Sequence, residues 1–286
     1  MSKQTTTPVA ALENLEDRRL MSATTATLSD AGVWQITGDD VGRIYTLNKV
    51  ALGTPFGTIP CLQVKEQTLG KPAEDKSFLI PASKVKSVVI TGGAGNDWIE
   101  AKPGADVKVR FEGGADHDTL KGGGSGDVLF GNAGNDTIWA RESATANFIS
   151  GGDGNDEIRG TAGADTIFGG VGHDEIFGDP SDVPWRGLAG DLIYGGEGND
   201  FINGGYGNDS LYGENGHDHI LGDMHYANGN DLISGGAGDD FVYGGPGADT
   251  VSGDAGTDSI FKQDFEDDTI TGVETWLAKL PVWSVG

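Results

Sequence analysis

Hydrophobic and polar positions follow two patterns along this chain, and the change comes near residue 91. Between Leu28 and Ile90 short stretches are β-branched or aromatic and several alternate with polar residues: Val33-Trp34-Gln35-Ile36-Thr37, Arg43-Ile44-Tyr45-Thr46-Leu47, Cys61-Leu62-Gln63-Val64-Lys65 and Val85-Lys86-Ser87-Val88-Val89-Ile90. A period of two predicts strands with one buried face. Gly53-Thr54-Pro55 and Gly70-Lys71-Pro72 punctuate them. Val107-Lys108-Val109-Arg110-Phe111 is a further alternating strand. Beyond Gly92 a single large aliphatic recurs at a short interval: Ile99, Leu120, Leu129, Ile138, Ile149, Ile158, Ile167, Ile176, Ile193, Ile202, Leu211, Ile220, Ile233, Val242, Val251, Ile260 and Ile270.

Two residues before these aliphatics stands an aspartate: Asp97, Asp118, Asp127, Asp136, Asp156, Asp165, Asp174, Asp191, Asp200, Asp209, Asp218, Asp231, Asp240, Asp249, Asp258 and Asp268, with Asn147 the exception. The full unit is clearest in Gly195-Gly196-Glu197-Gly198-Asn199-Asp200-Phe201-Ile202-Asn203 and its successor Gly204-Gly205-Tyr206-Gly207-Asn208-Asp209-Ser210-Leu211-Tyr212. It reads G-G-x-G-x-D-x-U-x, with U a large aliphatic, and a fixed short period signals a solenoid whose repeats lean on one another. The predicted class is all-β: a parallel β-roll, or β-solenoid, over residues 92–272. Residues 28–91 form a β-rich N-terminal cap continuous with it and cover its open sheet edge. Residues 1–27 are expected to be a flexible targeting segment, and 273–286 a C-terminal cap or export tail.

Glycines at positions one, two and four let a turn take positive φ and bring carbonyl oxygens close together. Residues seven to nine then make a short strand whose eighth side chain points inward. Two repeats complete one coil, so the turns of repeats n and n+2 stack on one edge. Carbonyl oxygens and carboxylates from successive turns make a hard-oxygen cage suited to Ca²⁺ rather than to zinc or copper. Extra residues precede the repeats of Asn147, Asp191, Asp231 and Asp268, each after four further repeats, which assigns every insertion to one edge. The uninterrupted edge should carry Asp97, Asp118, Asp136, Asp156, Asp174, Asp200, Asp218, Asp240 and Asp258, and a continuous file of calcium ions. The interrupted edge should carry Asp127, Asp165, Asp191, Asp209, Asp231, Asp249 and Asp268, and a broken file.

Composition narrows the function. The chain has 286 residues, 49 of them glycine, only 36% hydrophobic residues and a formal net charge of -25. A thick core is excluded, and the charge disfavours nucleic acid or anionic membrane while favouring cations. Even spacing of the acids argues against disorder. Cys61 is the only cysteine, which excludes an intrachain disulfide and a cysteine metal site. No apolar run is long enough for a transmembrane segment. Val9-Ala10-Ala11-Leu12 is too short for a secretory core, so export is expected to use another signal.

The repeat resembles the repeats-in-toxin family, the haemolysin-type calcium-binding repeats that form parallel β-rolls, from about Gly92 to Thr271. The resemblance implies several bound Ca²⁺ ions, secretion to the extracellular space or cell surface of a bacterium, and folding coupled to calcium. Leu15-Glu16-Asp17-Arg18-Arg19-Leu20-Met21-Ser22-Ala23 resembles a short Leu-Glu-x-Arg-x-Leu-Leu motif near the N-terminus of exported bacterial proteins. The expectation is a non-enzymatic calcium-binding structural or interaction protein, whose partners beyond calcium are an extracellular polysaccharide or a surface protein.

Two alternatives stay open. One is an adhesin using outward aromatic rows, Phe168, Tyr194 and Tyr212 on one face and Phe177, Tyr243 and Phe261 on the other. The other is an enzyme or enzyme accessory with a pocket in residues 28–90. His-Glu-x-x-His, serine-nucleophile and phosphate-loop motifs are missing from the sequence. His117, His173 and His217 at the fifth position read as exposed turn residues; His217, His219, His225 and Asp223 are a weaker candidate for a transition metal.

Overall fold

The computed structural model describes residues 25–277 apart from 40–41, 55–56, 69–75, 125, 142–144, 180–188, 224–228, 262–267 and 273–274. The exported-protein motif at 15–23, His225 and most of the apolar tail lie outside the described residues.

Two facing parallel sheets carry the chain. The first runs from Thr25–Leu28 and Val33–Thr37, an antiparallel pair, through Ser87–Ala94, Lys108–Ala115 and Val128–Ala133 to Thr269–Thr271. The second begins with three antiparallel strands, Lys76–Pro81, Gly57–Thr68 and Arg43–Thr54, then continues in parallel through Trp98–Ala101 and Thr119–Lys121 to Thr275–Leu277. From Ser87–Ala94 onward successive strands of one sheet are separated in sequence by a strand of the other, so two repeats make one coil of a β-solenoid. The only helical element described is the short 3₁₀ turn Ala82–Lys84.

The cap is partly a worn coil and partly something else. Val33–Thr37 pairs in parallel with Ser87–Thr91, and Ile44–Leu47 with Trp98–Ala101, as repeats would. Between them a long hairpin pairs Arg43–Thr54 with Gly57–Thr68 along its whole length. Its alternation resembles that of a coil strand, and its antiparallel pairing sets it apart. The hairpin extends the second sheet where an open edge would otherwise stand.

Inside the roll the aliphatic of each repeat stacks in register on the next of its file, as in Leu129, Ile149, Ile167 and Ile193, which follow Phe111 at the cap end. All of these are fully buried. Tyr45, Leu47, Leu62 and Val64 widen the core at the cap with Trp34, Ile36, Val88 and Ile90. Past the cap each coil holds little apolar material beyond two aliphatics, because its other inward positions are small residues and aspartates. Burying a side chain such as isoleucine contributes about 1.5–3 kcal/mol.

A core one aliphatic wide has little capacity to relax. Ile202→Ala, at a fully buried site, should cost about 2–5 kcal/mol in urea unfolding. Leu232→Ala, at a site 43% exposed, should stay within about 0.5 kcal/mol. Equal losses would contradict this core.

Candidate cation-binding edges

Each turn that joins the first sheet to the second ends in an aspartate whose side chain looks along the solenoid. Oδ1 of Asp118 accepts the amide of Asp97 at 2.7 Å, and the same bond repeats from Asp118 to Asp136, Asp156, Asp174, Asp200, Asp218, Asp240 and Asp258 at 2.7–2.9 Å. These nine stack on one edge in the membership read from the insertion pattern. Arg43 takes the aspartate's place one rung earlier, where its amide donates to Asp97 Oδ1 and its guanidinium pairs with Asp39 and Glu66.

In eight of these carboxylates the second oxygen is left without a protein donor. Oδ2 of Asp97, Asp118, Asp136, Asp156, Asp174, Asp200, Asp218 and Asp240 is buried and accepts no hydrogen bond. Position one explains where each points. A Cβ added to Gly131 would lie 2.2 Å from Asp136 Oδ2 and 2.5 Å from the Gly151 carbonyl, and one added to Gly151 would meet Asp156 Oδ2 and the Gly169 carbonyl in the same way. Glycine therefore clears a space where a carboxylate oxygen and a carbonyl of the next rung converge. At position two of the first edge's turns the φ angles are positive even where the residue is not glycine, as at Asn132 (78°), Glu214 (73°) and Asp254 (68°).

Orphaned buried oxygens beside a cradle of carbonyls fit a hard cation. Among the described residues no three His, Cys, Asp or Glu side chains gather round one point, so backbone carbonyls must complete any coordination shell.

The opposite edge has its own unbroken ladder, from Asp127 to Asn147, Asp165, Asp191, Asp209, Asp231, Asp249 and Asp268. The expectation of a broken edge has to be divided. In its first half protein donors meet the charge: Asp127 Oδ2 accepts the amides of Gly123 and Gly124, and Asp165 Oδ2 accepts the amide and hydroxyl of Thr161. Asp165 Oδ1 receives both the amide and the side-chain nitrogen of Asn147. In the second half, Oδ2 of Asp191, Asp209 and Asp231 is as orphaned as on the first edge. Their cradles are intact too: a Cβ on Gly178 would stand 2.2 Å from both Asp191 Oδ2 and the Gly204 carbonyl. This turn therefore begins at Gly178 and Asp179, and the extra residues enter between positions two and six; the turn of Asp231 begins in the same way at Gly222 and Asp223.

Burial sets the electrostatics. Taken from water, and helped only partly by the amide each accepts, Asp97 is pushed up to about 7, Asp118 to about 8, Asp209 to about 7 and Asp231 to about 8. Asp191, beside Asp165, Asp209 and Asp179, reaches about 10.

Other candidates are placed differently from expectation. The fifth position builds a second ladder: Nδ1 of His117, His173 and His217 accepts the amides of Asn135, Asn199 and Asp239, a role Asn135, Asn155 and Asn199 fill with Oδ1. That bond requires an unprotonated Nδ1. His217 precedes the strand His219–Asp223 and Asp223 closes it, while His219 at its start is edge-on to Phe201 and Phe241, so the three share no metal.

Of the aromatic rows, Tyr194 stacks on Phe168 and Tyr212 with centroids 5.0 and 4.9 Å apart and planes within 5° and 12°. Those ring faces cover one another, and Tyr243 and Phe261 are buried rather than outward. A cleft of about 380 Å³ beside the cap is lined by Lys49, Lys86, Lys108 and Asp106 among apolar residues, with Lys49 bonded to Asp106.

The model of one family, the RTX calcium-binding nonapeptide repeat (4 copies), matches residues 87–107, 110–142, 143–180, 187–223 and 225–260. No curated protein matches the chain.

In metal-free solution the raised aspartates fix the sign of the pH dependence. Between their ordinary value of 3.8 and the folded values of about 6 for Asp200 and about 8 for Asp118, the folded state holds more protons than the unfolded. Their stabilisation is complete below about pH 4 and is lost as pH rises through 6 to 8. Urea midpoints measured without cations should fall from pH 5 to pH 8; a rise over that range would contradict the arrangement.

Proposed function

Because the chain belongs to the RTX calcium-binding nonapeptide repeat family, we propose that it is a secreted or cell-surface structural protein whose folding is driven by calcium ions held along both edges of the roll. The observation that carries this reading is the file of buried carboxylate oxygens without donors, each beside a carbonyl of the next rung in a space kept open by glycine.

The donor chemistry selects the ion. Every oxygen offered is a carboxylate or a backbone carbonyl, which favours a hard cation and gives zinc or copper no soft ligand. Seven or eight oxygens at flexible distances suit Ca²⁺, whereas Mg²⁺ demands an octahedron and keeps its waters. Calcium would supply positive charge between rungs; the chain's own part is to aim Oδ2, fix Oδ1 on the preceding amide and hold the carbonyls in place. Affinities of about 10⁻⁴–10⁻³ M are typical of extracellular calcium modules, so such a chain would stay open inside a cell and close outside it. Among the described residues no helix is long and apolar enough to cross a membrane. An enzymatic role gains nothing from the cleft by the cap, whose polar groups are three lysines and a paired aspartate.

Circular dichroism at neutral pH tests the reading. The β signal should be largely absent in chelator, appear cooperatively with added calcium, and not appear with magnesium at the same concentration. A signal already complete in chelator would contradict calcium-driven folding.

A further inference from the structure

On the second edge the two long insertions are introduced by the same dipeptide, Gly178-Asp179 and Gly222-Asp223. Neighbouring rungs have glycine at this second position, Gly205 and Gly245, with φ of 109° and 102°. The edge thus alternates Asp179, Gly205, Asp223, Gly245. Crowding explains the alternation: a Cβ on Gly205 would lie 2.7 Å from that of Asp179, and one on Gly245 2.6 Å from that of Asp223. From Asp179 onward a side chain and a glycine take turns at this position, whereas Arg141 and Thr161 occupy it on the two rungs before.

Both aspartates are withdrawn from water, Asp179 at 7% exposure and Asp223 at 0%. Asp179 Oδ2 accepts the amide of Tyr206 at 2.8 Å, and Asp223 Oδ2 that of Gly229 at 2.6 Å. Asp223 Oδ1 is buried and has no hydrogen-bond partner. The charged groups that face Asp223 are all carboxylates, those of Asp209, Asp249 and Asp179, and Asp231 faces it in turn. Of these, Asp209 and Asp231 each present an orphaned Oδ2. A fully buried carboxylate that turns an unbonded oxygen among others of its own charge is costly unless a cation lies between them.

We propose that Asp223, and Asp179 two rungs before it, are additional ligands for hard divalent cations, so that these rungs bury two carboxylates where a rung of the first edge buries one. This rests on the calcium reading above. The repeat itself supplies the reason. In a regular turn only residues such as 206–208 separate the second position from the sixth, and their carbonyls stay at the edge; in the interrupted turns residues 180–190 and 224–230 intervene. A side-chain oxygen at position two supplies a ligand that does not depend on the inserted residues. Two carboxylates per rung should also make these the tighter sites, since calcium affinity rises with ligand charge.

The test counts calcium ions bound to the full-length chain by equilibrium dialysis, with the β signal followed in parallel. Asp179→Gly with Asp223→Gly restores the glycine of the regular turn, and Asp223→Asn keeps the shape while removing the charge. We expect the double glycine variant to reach the wild-type β signal at saturating calcium but to lose one bound ion for each aspartate replaced, and Asp223→Asn to lose one or to bind it about tenfold more weakly. A wild-type ion count and affinity in either variant overturns the proposal. Failure of the wild-type chain to bind calcium at all would instead overturn the reading on which it rests.

Discussion

Like charges buried one strand spacing apart constrain everything else in this molecule. Along each edge the carboxylates follow one another at about 4.8 Å, where two unit charges repel by roughly 3–4 kcal/mol at an effective dielectric constant of 20. The aliphatic each repeat buries returns only about 1.5–3 kcal/mol. A roll with all its aspartates ionised therefore cannot be held by its apolar file. It needs protons, protein donors or cations at the edges. Glycine at position one, the positive φ at position two and the amide bonded to each Oδ1 follow from that need, since they leave Oδ2 facing open space beside a carbonyl.

The chain meets the constraint in three ways, arranged by position. At the N-terminal end of the first edge the guanidinium of Arg43 is a permanent cation, paired with Asp39 and the fully buried Glu66. On the first half of the second edge, Asn147 and Thr161 remove a charge and bond the next one, so Asp165 has a donor for each oxygen. On the first edge from Asp97 to Asp240, and at Asp191, Asp209 and Asp231 on the second, Oδ2 stays orphaned. The parts satisfied by protein groups lie next to the cap, where the core also carries Trp34, Tyr45 and Phe111.

Much of this was legible in the residues. The paired register of aspartate and aliphatic admits one topology, and insertions every four repeats separate the two edges without any coordinates. Legibility failed where the period was not the governing rule. The insertion before Asp191 was assigned to the space between repeats, because alignment on the aspartate hides that Gly178 must stay at position one to clear its cradle. The dipeptides Gly178-Asp179 and Gly222-Asp223 were the available signal. The hairpin of the cap alternates like a coil strand, so only its antiparallel pairing, invisible in the pattern, distinguishes it. The fifth-position histidines looked like turn decoration because an imidazole standing in for the Asn oxygen as an acceptor cannot be seen without the next rung.

The most direct measurement is a crystal structure grown with calcium and phased for its anomalous signal. The account predicts ions beside Oδ2 of successive aspartates along the whole first edge and along the second edge from Asp191 onward, and none beside Asp165. Ions spread evenly over both edges, Asp165 included, or an ordered roll with its orphaned oxygens still bare, would contradict it.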